Sequence, residues 1–159
     1  MSQRYEDRQN IATIQAPVLK LEQFLRQSGF DMSLLHLIKF RASQINGCAY
    51  CLAMHSRDAR LEGEREDRLH VISAWRETDW FSPREQAALA FTEAVTTLEN
   101  QHVPDEVFAQ AREQFSEQEL ATLTLAIATI NVWNRICITW GIPPEAFTVP
   151  AEQPVAASV

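Results

Sequence analysis

The sequence predicts an all-α fold, and three observations carry that expectation. Apolar residues recur at helical spacing along most of the chain, two capping boxes mark helix starts, and only four glycines are present, too few for the dense turns of a sandwich or barrel. At 159 residues the chain fits one domain over 1–159, with 145–159 as an extended C-terminal tail. A compact domain of about six to eight helices fits that length.

Val18, Leu21, Phe24 and Leu25 recur at helical spacing, and Gly29 can take the left-handed conformation that ends such a helix. A second helix is expected from about Met32 to Ile45, capped by Asp31 or Ser33. Its apolar residues (Leu34, Leu35, Leu37, Ile38, Phe40, Ala42, Ile45) surround nearly the whole cylinder, so it should be largely buried. Asn46-Gly47 marks a turn, after which a third helix begins at the cysteines and runs to Leu61 or Glu62, with Gly63 as its stop.

Arg65 to Arg76 reads as a fourth helix, followed by an aromatic-rich connection from Trp75 to Phe81. Ser82-Pro83-Arg84-Glu85 places serine at the cap, proline at the first helical position and glutamate at the third, opening a helix to about Leu98. Pro104 can open a shorter helix through Phe115. Ser116-Glu117-Gln118-Glu119 is the second capping box and opens a long apolar helix to about Trp140, stopped by Gly141 and Pro143-Pro144. Leu120 to Trp140 is apolar enough to suggest a membrane span, but Asn131, Asn134 and Arg135 interrupt it. It reads as a central buried helix, and no membrane partner is expected.

The formal net charge of −7 disfavours nucleic acid and anionic membrane as partners, because both need concentrated Lys and Arg. The N-terminal residues Met1 to Arg8 show no apolar stretch of a secretory signal. The expected compartment is the cytoplasm. Three cysteines in such a chain do not make a disulfide framework, and a CxxC pair in a reducing compartment points to redox chemistry or metal binding.

That pair is Cys48 and Cys51, followed by His55. On a helix starting near Cys48 these three share one face, with Cys51 and His55 one turn apart. The first helical turn favours thiolate over thiol through its unpaired N–H groups and dipole. Thiol redox chemistry needs an attacking thiolate and a second thiol to finish the reaction, and this spacing supplies both plus a proton carrier. Half a zinc site and inert packing are the other readings of the same residues. Neither His70 nor His102 completes a standard zinc pattern.

The stretch Phe40 to Cys51, then Met54-His55, resembles the core of the alkylhydroperoxidase AhpD family, within the carboxymuconolactone decarboxylase superfamily. Ala74-Trp75-Arg76-Glu77 and Asn131-Val132-Trp133-Asn134-Arg135 look like downstream segments of the same group, so the resemblance spans about Ala16 to Ile142. It implies an all-α fold assembled as a homo-oligomer, a trimer or hexamer. It also implies an antioxidant peroxidase that reduces small hydroperoxides through a dithiol/disulfide cycle, recharged by an external dithiol or thiol carrier, with no cofactor and no metal. Cys51 would then be peroxidatic, Cys48 resolving and His55 part of a proton relay. The family places a glutamate on the preceding helix where this chain has His36, so His36 would stand in for it. Tyr50 departs similarly, standing where the founding peroxidase has a histidine.

Two rival functions follow: a decarboxylase of small lactone acids, the superfamily's other activity, which does not need the cysteine pair, and a redox sensor or binding module in which CxxC only reports oxidation. Cys137, on the long apolar helix with no partner nearby in sequence, reads as buried packing. The Glu62–Arg68 charge run reads as a solvated helix face, Arg76 and Glu77 as candidates for an ion pair, and the tryptophans as core, pocket or interface residues.

Overall fold

Asp7 starts the helical part of the chain: its carboxylate accepts the Gln9 N–H at 2.9 Å and caps α1, Arg8–Gln27. The structure, a computed structural model, describes residues 3–145. Asp31 caps α2 (Met32–Asn46) through the N–H groups of Ser33 and Leu34, and Cys48 caps α3 (Ala49–Leu61). Next come α4 (Glu66–Val71), a 3₁₀ segment Ile72–Glu77, α5 (Pro83–Thr97), a short 3₁₀ turn Glu99–Gln101, α6 (Asp105–Gln114) and α7 (Glu117–Trp140). Both capping boxes form as expected, Ser82 with Glu85 and Ser116 with Glu119. Among the described residues there are seven α-helices and no strand, so the all-α expectation holds. The tail expected over 145–159 lies, save for Glu145, outside the described residues.

The central helix is α2, not α7. It packs against α3, α5 and α7 together, and every residue from Leu34 to Phe40 is buried, as its all-round apolar pattern requires. By contrast α7 buries one face (Leu120, Leu123, Ile127, Ile130, Asn134, Cys137) and leaves Ala121, Ala128, Val132 and Arg135 outward. It is long and apolar enough to cross a membrane, yet its buried face is spent on α1, α2 and α5.

Two local expectations are revised. α1 begins well before Val18 and runs through Pro17. Its inner face is Ile11, Val18 and Leu25, while Phe24 is 55% exposed. The fourth helix is broken instead of continuous: Ala74 leaves helical geometry (φ −117°, ψ 30°), which turns Trp75 inward to donate its indole N–H to Glu93 at 3.1 Å.

Candidate active site

The site is built where α2 ends. Gly47 takes a left-handed conformation (φ 70°, ψ 32°), which glycine adopts without a steric penalty. Its N–H bonds the Gln44 carbonyl at 3.2 Å while the Cys48 N–H reaches the Ser43 carbonyl at 3.0 Å, a Schellman closure of α2. The same Cys48 is the N-cap of α3, its Sγ accepting the Cys51 N–H at 3.4 Å. One residue therefore ends one helix and begins the next. With so little slack, the cysteine backbone is held on both sides.

Cys48, Cys51, His55 and Ala59 are all buried along one face of α3, as the spacing predicts. The Cys48 and Cys51 sulfurs lie 2.8 Å apart, and both cysteines are free. Sulfurs this close are within reach of a disulfide, whose bond length is about 2.05 Å. Cys137 of α7 joins them. All three sulfurs lie within 4.8 Å of one another, and Ala42, Ile130 and the flanks of Tyr50 and Trp133 enclose the group. Cys137 is buried, as its apolar helix implied, but it is not without a partner. Sequence spacing could not have placed it there, because it arrives from a distant helix.

The electrostatics favour one negative charge shared among three thiols. Hydrogen bonds from Cys137 and Cys51 push the Cys48 thiol well below its ordinary value, and the backbone N–H of Cys51 adds to this against the opposing effect of burial. The two donors move the other way: Cys51 and Cys137 are both raised, because losing their protons would break the bonds to Cys48. Of the three, Cys48 at the helix cap is the thiol that loses its proton most readily.

His55 is 5% exposed, and its ring lies 6.1 Å from that of His36 on α2, tilted by 52°. Burial, then the charges of Lys39 and His36, hold its proton affinity well below the ordinary value. Among the described residues neither ring nitrogen of His55 has a hydrogen-bond partner, so both can take part in proton transfer. His36 Nε2 lies 3.3 Å from Glu62 Oε1, within ion-pair range but out of hydrogen-bond alignment. The Glu62 side chain is 45% exposed and borders a cleft of about 180 Å³ with Ser33, Ala59, Glu64, Arg68 and Glu85. Glu62 thus leads from the buried histidines to solvent. Reading the Glu62–Arg68 run as a solvated face missed this, and missed Arg68, which binds Glu85 at 2.6 Å and lies 4.7 Å above the Phe81 ring.

Behind the sulfurs a polar network ties α2 to α7 and α5. Asn46 Nδ2 donates to Asn131 Oδ1 at 2.9 Å and to Asn134 Oδ1 at 2.8 Å. Asn134 donates to Ser43 Oγ at 3.0 Å, and Asn131 to Thr96 Oγ1 at 3.1 Å. Ser43 and Asn134 are fully buried, so each lost bond leaves a buried polar group unsatisfied. Asn134→Leu should cost about 2 kcal/mol, read as a lower urea midpoint with an unchanged slope. A loss below about 0.5 kcal/mol would show the network to be incidental.

A second anchor lies further out. Glu93 of α5 accepts from Arg41 Nε at 2.8 Å, Arg76 Nη1 at 2.7 Å and Trp75. Burial opposes its charge, but these three donors outweigh burial and hold its carboxyl below the ordinary range. Arg76 therefore meets Glu93, and with Arg41 it fixes the outer side of α2. His70 and His102 are exposed and lie outside the site.

The sequence model of the carboxymuconolactone decarboxylase family matches residues 14–94. The uncharacterized protein YdfG of Bacillus subtilis is 43% identical over 124 residues, covering 78% of this chain and 84% of its own. Among solved structures, a protein of unknown function from Agrobacterium tumefaciens, proposed to be the antioxidant defence protein AhpD, superposes with a TM-score of 0.87 at 34% identity, over 92% of this chain and all of its own. The debrominase Bmp8 shares the fold, with a TM-score of 0.74 at 23% identity over 82% of this chain and 70% of its own.

Proposed function

We propose that this chain, which belongs to the AhpD-like branch of the carboxymuconolactone decarboxylase family, is an antioxidant thiol peroxidase reducing small hydroperoxides through Cys48 and Cys51. The observation that carries the reading is the buried pair of free sulfurs 2.8 Å apart at a helix N-terminus. Such a pair is stocked with both thiols that one round of peroxide reduction consumes.

Cys48, as the thiolate, takes the Cys51 proton across their contact. The Cys51 thiolate attacks the peroxide oxygen, its O–O bond breaks, and the alkoxide leaves as alcohol after receiving a proton. Cys51 is now a sulfenic acid. As Cys48 attacks that sulfur, the proton it took from Cys51 passes to the departing oxygen, the Cys51–oxygen bond breaks, water leaves, and the disulfide forms. His55 stands one turn from Cys51 to deliver the proton, with His36 and Glu62 linking it to the surface. An external dithiol or thiol-carrier protein returns the two electrons. The site needs no cofactor or metal for these steps. Cys48 and Cys51 are each 1% exposed, so peroxide entry requires the packing around them, which includes Tyr50 and Trp133, to open.

The same reading makes the protein cytoplasmic, one domain over 1–159, and a homo-oligomer, trimer or hexamer. Supporting the last are the exposed Leu19, Phe24, Leu61 and Phe108, between 46% and 60% accessible, more apolar surface than a lone soluble chain usually leaves uncovered. A lactone-acid decarboxylase would leave the paired thiols without a task. A sensor would oxidise once and stop. The test is hydroperoxide consumption with a recycling dithiol such as dithiothreitol or dihydrolipoamide. Turnover beyond one peroxide per chain is expected, and stoichiometric oxidation alone would favour the sensor.

A further inference from the structure

Cys137 is a buried nucleophile that the two-thiol cycle does not use. It is not a stray packing residue. Its sulfur lies within 4.8 Å of both catalytic-pair sulfurs, although it comes from α7 and they come from α3. Two features fix it there. One turn before it, Asn134 bonds Ser43 and Asn46, the residues that precede the cysteines on α2. One turn after it, Gly141 ends α7 in a left-handed conformation while the Ile142 N–H bonds the Cys137 carbonyl at 2.9 Å. The backbone of Cys137 is thus tied to the segments that carry Cys48 and Cys51, which keeps its sulfur within 4.8 Å of theirs.

We propose that Cys137 is the third redox thiol of this site, resolving an oxidised Cys51 when Cys48 does not. The inference rests on the peroxidase reading for the source of oxidation. The chemistry is complete without further reactants: Cys51–SOH plus Cys137–SH gives a Cys51–Cys137 disulfide and water, the sulfenic sulfur being reduced and the Cys137 sulfur oxidised. From the ordinary Cys48–Cys51 disulfide, a Cys137 thiolate attacks Cys51 and releases Cys48 as thiolate, with no net electron transfer. In the first case Cys51 spends less time as sulfenic acid, the form that a second peroxide converts irreversibly to sulfinic acid.

The experiment uses the full chain as Cys48→Ser, as the double variant Cys48→Ser with Cys137→Ser, and as wild type. Serine is a favoured N-cap, so Cys48→Ser keeps the start of α3. Each reduced protein receives one equivalent of tert-butyl hydroperoxide or, separately, of diamide, which oxidises thiols without a sulfenic intermediate. Cross-linked peptides are mapped by mass spectrometry and sulfenic acid is trapped with dimedone.

In Cys48→Ser a Cys51–Cys137 cross-link is expected with both oxidants, together with at least a tenfold lower dimedone yield than in the double variant. A Cys51–dimedone adduct of equal yield in the two variants, with no cross-link, overturns the inference and leaves the peroxidase reading standing. A cross-link with diamide, while tert-butyl hydroperoxide leaves every thiol reduced even in wild type, supports the third thiol and overturns the peroxidase reading. No cross-link with diamide and no reaction with peroxide overturns both.

Discussion

Cys51→Ser is expected to abolish hydroperoxide turnover, lowering it by at least about a thousandfold, the scale on which removing a covalent nucleophile acts. Without Cys51 sulfur no sulfenic acid forms beside His55, and the remaining Cys48 thiolate has no nearby proton carrier one turn along its own helix. Cys48→Ser should also fail to recycle at the wild-type rate, but it should still consume one equivalent of peroxide. Its first oxidation should be slower, because the base that takes the Cys51 proton is gone. The two variants also test which sulfur attacks. Cys48 is the thiol held below its ordinary value, and if that marked the attacker, the outcomes would reverse: Cys51→Ser would burn one equivalent and Cys48→Ser none. Stopped-flow consumption at one equivalent of peroxide separates these cases. Full turnover in both variants would remove the pair from the mechanism altogether.

The parts of this site that could be read from the sequence are those within a single turn or two of one helix. Cys48, Cys51 and His55 lie on one face because helical geometry fixes spacings of three and seven, and the structure buries all three there. Both capping boxes were equally legible, since each closes within four residues. The features that escaped depend on tertiary packing. Cys137 joins the sulfurs only through the crossing of α7 over α2, and no local pattern encodes where two helices cross. Glu62 looked solvated because it follows the end of α3, and only the fold shows His36 lying beneath it. The start of α1 lies ahead of the periodic run from Val18, and Pro17, costly in a helix interior, is accommodated there by packing through Ile11, Val18 and Leu25. The central position went to α2 over α7 for a related reason. Hydropathy rates α7 higher, but an element is central when every side of it is covered, and only α2 is apolar nearly all round.

The second large effect is expected at the histidines, where stability should begin to fall at a higher pH than the rate does. His55 is held neutral by burial first, then by the nearby charges of Lys39 and His36. In the unfolded chain the same ring titrates near its ordinary value of 6.5. The folded state therefore binds this proton less readily than the unfolded state. The resulting stabilisation is complete above pH 6.5 and is lost as pH falls from there toward the folded value, by up to about 1.4 kcal/mol per pH unit. Thermal unfolding between pH 7.5 and 5 should show this decline, and His55→Asn should flatten it. In the reaction, a neutral ring can receive and pass protons, so activity should persist below pH 6.5 and fail only in more acidic solution. His55→Asn should lower kcat/KM about a hundredfold, within the range of positioned acid–base groups. His36→Leu should lower it about tenfold, and by removing one charge that keeps the proton off His55 it should move the acidic limb of the profile toward neutral pH. His36→Glu should move that limb further in the same direction, since a facing carboxylate favours the protonated imidazole, and it restores the carboxylate that the family resemblance places there. An unaltered rate and pH profile in His36→Leu would make His36 a packing residue and would leave Glu62 without a connection to His55.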